Sequence, residues 1–127
     1  MGFLKRLAND RRGSVAVTFS LAATPLMLMT GAAMDYSRAS RERHNMQAAL
    51  DSALLAAALA KPAQREGVAT NVYKADSSPQ ARIGETLTFS ANEVARTFSG
   101  EVRAKVPTML MKLGGYDSVE IAVKGSV

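Results

Sequence analysis

Val15 to Met34 is a run of 20 residues with no charged side chain, and its only hydroxyl-bearing members are Thr18, Ser20, Thr24 and Thr30. At about 1.5 Å per residue a helix of that length reaches about 30 Å, the thickness of a bilayer's hydrocarbon core. The hydroxyls can bond back to carbonyls of their own helix, so lipid tolerates them. Pro25, near the middle, removes one backbone bond and predicts a kink. From Ser37 to Ala60 no proline or glycine interrupts the chain, and alanine and leucine dominate. Met46, Leu50, Leu54 and Ala57 share one helical stripe, which Arg38, Arg41, Glu42, Arg43 and Asp51 mostly avoid. Pro62 stops the pattern. The two segments predict one bent helix of about 45 residues, on the order of 65–70 Å, with its first half in lipid.

Residues 62–84 read as a connector, with turn signals at Ser77-Ser78-Pro79. Within it, Val68 to Tyr73 suits a short strand or a short helix equally. After Gly84 the period changes to two. Leu87 and Phe89 alternate with threonine and serine. In Val94 to Val106, Val102, Ala104 and Val106 oppose Glu101, Arg103 and Lys105, and Val119, Ile121 and Val123 oppose Glu120, Ala122 and Lys124. Three half-buried antiparallel strands follow from this, with a tight turn at Asn92-Glu93. One or two helical turns near 107–113 end at Gly114-Gly115. The expected class is α+β: a long helix whose stretch at 35–61 carries a small antiparallel sheet formed by residues 85–127.

Charge adds direction. The net charge is +5, yet residues 1–14 set Lys5, Arg6, Arg11 and Arg12 against Asp10, and the folded part is close to neutral. A nucleic-acid partner is therefore not expected, since it would need a basic face on the folded domain. Cations ahead of an apolar run predict a cytoplasmic tail at 1–14, a transmembrane helix at 15–34 and an extracytoplasmic remainder. A buried helix of a soluble protein is the bland alternative. A cleaved secretory signal ending near Ala32 is another, but the run exceeds the usual signal core and helical sequence continues past Asp35. The chain has no cysteine, which removes disulfides, thiolate metal sites and a cysteine nucleophile.

The residues Arg11-Arg12-Gly13-Ser14-Val15-Ala16-Val17-Thr18-Phe19, the exit Gly31-Ala32-Ala33-Met34-Asp35-Tyr36 and the helix Met46-Gln47-Ala48-Ala49-Leu50-Asp51-Ser52-Ala53 resemble the TadE/TadG-like proteins of the bacterial tight-adherence (Flp-type) pilus machinery. Val106-Pro107-Thr108, Leu113-Gly114 and the last strand are similar to that family's small sheet domain. The resemblance implies a non-catalytic, single-pass protein of the inner membrane with a periplasmic domain. Its partners would be membrane lipid, other pilus-assembly proteins or pilins, and further copies of itself. It also brings an alternative, a minor pilin cut between Gly13 and Ser14 and carried to the cell exterior in a filament. Processed pseudopilins of this system place a glutamate five residues after the glycine and an aromatic next to it. Here Thr18 and Phe19 hold those places. A hydroxyl cannot neutralise a neighbouring subunit's free amine, which favours the uncleaved, TadG-like branch. Longer members of that branch carry a von Willebrand A-type module, for which 127 residues leave no room.

No catalytic, cofactor or metal site is expected. His44 stands alone, while a metal needs three or four converging ligands. Asp51 and Ser52 lack a histidine at useful spacing, and Gly114-Gly115 lacks a phosphate-loop context. The methionines Met27, Met29, Met34, Met46, Met109 and Met111 read as packing residues. Asp35 reads either as a docking contact for another pilus protein or as an interfacial anchor paired with Arg38, with Tyr36 in the headgroup belt. Ala49, Ala53 and Ala57 offer a small-residue face for a partner helix, or equally for the chain's own sheet.

Overall fold

The computed structural model describes residues 11–78 and 81–127. The cations and Asp10 ahead of Arg11, and the Pro79 part of the turn signal, lie outside the described residues.

One helix, α1 (Arg11–Leu59, 49 residues), forms the spine and runs through Pro25. At about 1.5 Å per residue it spans about 74 Å. Its hydroxyls bond backwards as expected: Thr18 to the Ser14 carbonyl, Ser20 to Ala16 and Thr24 to Ser20, each at 2.8 Å, and Thr30 to Leu26 at 2.9 Å. These polar groups are thus satisfied without water or a partner. The helix stops before Pro62, and a 3₁₀ turn (Pro62–Gln64) reverses the chain into α2 (Arg65–Asp76). The segment read as a connector is therefore mostly helix. Glu66 in the first turn of α2 and Lys74 in its last complement the helix dipole.

Strands β1 (Ile83–Asn92), β2 (Thr97–Pro107) and β3 (Ser118–Ser126) form an antiparallel sheet in the order β1-β2-β3. β2 starts at Thr97 rather than Val94. Residues 93–96 form a four-residue turn, in which Val94 is 98% exposed and Arg96 adopts φ 53°. The Asn92 side chain accepts the Ala95 amide at 3.0 Å and closes that turn, a role for its carboxamide that a two-residue turn would not give. Alternation places Phe98, Val102, Ala104, Val106, Ile121 and Val123 on the face turned to α1, where all six are buried. The opposite face carries cross-strand pairs such as Glu101 with Lys124, at 3.2 Å. Gly100 and Gly125 let the sheet approach closely: Leu50 Cδ1 lies 2.8 Å from where a Cβ on Gly100 would stand, and Leu54 Cδ1 lies 2.7 Å from one on Gly125.

The core lies entirely on the second half of α1. Met46, Leu50 and Ala57 are fully buried there with Leu54, joined by Ala69 and Tyr73 of α2. The apolar first half stays bare. Val17, Phe19, Leu21, Met27 and Met29 are each 65–77% exposed. Of the methionines read as packing residues, only Met46 enters the core.

Candidate functional site

Two places bring functional side chains together, and the first is where α1 leaves its apolar run. The loop joining β2 to β3 (residues 108–117) folds down against α1 at that level. Its base is closed by the Thr108 amide donating to the Asp117 carbonyl at 3.0 Å and by the Thr108 hydroxyl donating to the Tyr116 carbonyl. A 3₁₀ turn (Met111–Gly114) follows Leu110, with Gly115 at φ 88° ending it. The start of such a turn leaves amide hydrogens without partners. Leu110, at the capping position, has no side chain able to accept them. Asp35 supplies the acceptor instead. Its Oδ1 takes the Met109 amide at 3.0 Å, and its Oδ2 takes those of Leu110 and Met111 at 2.8 Å each.

Asp35 is accordingly 5% exposed. The amides of Met111 and Met109 hold its carboxyl below the usual carboxylate range; the Leu110 amide adds to this and Arg38 contributes least. The carboxylate's hydrogen-bond partners thus lie within the chain, 74 to 76 residues away, and Arg38 is not among them. One turn deeper, Gly31 is buried because Leu110 fills the space a side chain would need, its Cβ lying 2.6 Å from where a Cβ on Gly31 would be. Leu26, Met27, Thr30, Gly31 and Leu110 line a shallow apolar groove at this point.

The second place is a buried charge cluster. The Arg82 side chain is wholly enclosed. Its Nε sits 3.5 Å from Glu42 Oε2 of α1 and 3.4 Å from Glu85 Oε2 of β1. Its terminal nitrogens donate to Ser77 Oγ at 2.6 Å and Tyr73 Oη at 3.4 Å. Burial pushes the Tyr73 phenol above its ordinary range. The cluster clamps α1, α2 and β1 together, and two carboxylates sharing one guanidinium with a phenol is an ion-pair arrangement. Sequence reading passed over Arg82, whose partners lie 3 to 40 residues away, on α1, β1 and the C-terminal end of α2.

Other positions singled out in the sequence fall as follows. Thr18 and Phe19 are exposed on the bare half of α1, the Thr18 hydroxyl being engaged within the helix. Gly13 and Ser14 lie in the first turns of α1, and among the described residues nothing lies within 4 Å of where a Cβ on Gly13 would stand. Tyr36 is 73% exposed beside the buried Asp35. Ala49, Ala53 and Ala57 lie inside the core, so no partner helix reaches them while this packing holds. His44 is exposed, its Nδ1 2.7 Å from the Ser40 carbonyl. Among the described residues no three His, Cys, Asp or Glu side chains converge as metal ligands.

The sequence profile of the family described as "Putative Flp pilus-assembly TadE/G-like" matches residues 13–61, nearly the whole of α1. That segment is thus similar to the family; the sheet and its loops lie outside the match. No curated protein and no solved structure matches the chain.

Proposed function

We propose that this TadE/G-like chain is a non-catalytic, membrane-anchored component of a Tad/Flp-type pilus assembly apparatus that works through protein–protein contacts. The observation that carries the reading is the division of α1. Its first half presents exposed apolar side chains with the Thr18, Ser20, Thr24 and Thr30 hydroxyls internally satisfied, and its second half is the core of a small folded domain. A helix built this way is suited to lipid at one end and to water at the other. One helix of the chain is long and apolar enough to cross a membrane. In this reading residues 15–34 span the bacterial inner membrane, the N-terminus is cytoplasmic and the sheet domain is periplasmic. Other pilus proteins, pilins or further copies of the chain meet it through exposed positions such as Phe19 and Tyr36.

A second reading has its own support. The bare apolar surface from Val15 onward suits a subunit cut after Gly13 and packed helix to helix in a filament. The intact mass of the protein from a membrane fraction of its native host separates the readings. A start at Met1 or Gly2 supports the permanent anchor, and a start at Ser14 replaces it with the minor pilin. A soluble form beginning near Ala33 refutes both and leaves a secreted binding module.

A further inference from the structure

The loop between β2 and β3 carries Met109, Leu110, Met111, Leu113 and Tyr116 within eight residues. Most of this apolar surface is bare: Met109 is 70% exposed, Leu113 76% and Tyr116 65%. A soluble domain this small has little reason to gather such side chains at one end. Their position supplies the reason. Leu110 lies against Gly31, four residues before Asp35 and so about 6 Å deeper along the α1 axis. That is inside the uncharged run, level with side chains that the membrane-anchored reading already places in lipid. Leu110 also shares an apolar groove with Leu26 and Met27, so the loop surface is continuous with the bare half of α1. Lys112 and Tyr116 on the same loop are exposed, and lysine and tyrosine suit the headgroup level.

We propose that residues 109–116 are a second membrane-binding element, a loop that enters the leaflet from which α1 emerges. This rests on the membrane-anchored reading given above. Leu110 and Leu113 reach the upper acyl chains, with Lys112 and Tyr116 among the headgroups. Asp35 is the fastener that makes this possible. By taking the three amides at the start of the 3₁₀ turn it removes the backbone donors that would otherwise hold the loop in water. Two attachments at one level, a spanning helix and a dipping loop, restrict the tilt of α1 in the bilayer. The sheet is already packed on α1, so its height and inclination above the membrane are set with that tilt.

The absence of native cysteine allows a direct test in the full chain, reconstituted in vesicles of phosphatidylethanolamine and phosphatidylglycerol. Leu113→Cys, at an exposed position, carries a polarity-sensitive fluorophore, and a lipid spin-labelled near the top of its acyl chain serves as quencher. Met27→Cys in the span and Val94→Cys in the β1–β2 turn, at the other end of β2, are the references. The expected result is blue-shifted emission and severalfold quenching at 113, comparable with 27, while 94 stays green and unquenched. Emission at 113 matching that at 94 overturns the proposal. Blue-shifted emission at 113 that the lipid quencher leaves untouched also overturns it, by showing that protein covers the loop. An unquenched probe at 27 refutes the membrane-anchored reading itself, a failure distinct from that of the loop.

Discussion

Leu50 and Leu55 lie five positions apart on the same helix, and truncating each to alanine separates the docked face of α1 from its free face. Leu50 is fully buried and Leu55 is 64% exposed. Leu50→Ala removes three carbons, a transfer loss of about 2.4 kcal/mol at about 0.8 kcal/mol each. To this is added the cavity left behind, which depends on how far the surroundings can collapse. Here they collapse little. The sheet faces Leu50 with Gly100, and Gly125 lies beyond its other methyl, so no side chain at either position can lean into the gap. The expected cost is therefore about 3–4 kcal/mol. At 1.4 kcal/mol per tenfold this raises the open fraction of the domain roughly 100- to 1,000-fold. A cysteine introduced at Ala104, 2% exposed on β2, reports opening through its labelling rate in the reconstituted full chain. Leu55→Ala in the same background should change that rate by no more than about twofold, the scale of an ordinary surface substitution. If the two leucine variants label at similar rates, the sheet is not held by this face of α1 and the packing argument fails.

Three other expectations concern the polar groups. Arg82→Met leaves Glu42 and Glu85 facing one another without their cation. Both are partly exposed, at 15% and 24% of their side chains. The expected loss is thus about 2–3 kcal/mol, at or below the low end for breaking a fully buried pair, and adding Glu42→Gln should recover part of it in urea unfolding. A loss within about 0.5 kcal/mol would show that the cluster contributes nothing. Asp35 has a lowered carboxyl pKa in the fold, so its contribution is complete above the unfolded value near 3.8 and disappears as pH falls through the lower folded value. The amide resonances of Met109 to Met111 should titrate below the ordinary aspartate range and stop titrating in Asp35→Asn; a midpoint at or above that range refutes the three-amide bond. Tyr73 has a raised pKa, so its stabilisation is full below pH 10 and is lost as the unfolded phenol ionises above it. In a Tyr36→Phe, Tyr116→Phe background, phenolate absorbance should appear only above the ordinary tyrosine range, and appearance at that range would mean the phenol is open to water.

What the sequence made legible is what depends on neighbours along the chain. The apolar run, the buried stripe of Met46, Leu50, Leu54 and Ala57, and the alternation in β2 and β3 each repeat at a fixed period, and each occurs where expected. The misplaced start of β2 and the undecided segment at Val68 to Tyr73 share a cause. Val94 carries strand propensity, but the turn needs four residues and a left-handed Arg96, so Val94 ends in solvent. The helical character of residues 65–76 comes from packing on α1 through Ala69 and Tyr73, since alone it is a short and weakly periodic segment.

Asp35 is the instructive case, because its residue type was singled out while its partner was not. The spacing to Arg38 suggested a local ion pair, whereas the carboxylate's hydrogen bonds go to three amides in the β2–β3 loop. A signal was present in the sequence. The turn at Met111 begins after Met109 and Leu110, with no serine, threonine, asparagine or aspartate at the capping position, so its amides required an acceptor from elsewhere. The sharp exit of the apolar run placed one unpaired carboxylate at Asp35, and Gly31 one turn deeper left room for the loop's Leu110. The fold joins these two deficits, an uncapped turn and a carboxylate at the end of the apolar run, and each disappears in the other. That pairing is why the loop sits where the apolar run of α1 ends, and why the link between the bare half of α1 and the sheet domain depends on Asp35 as well as on the continuous helix.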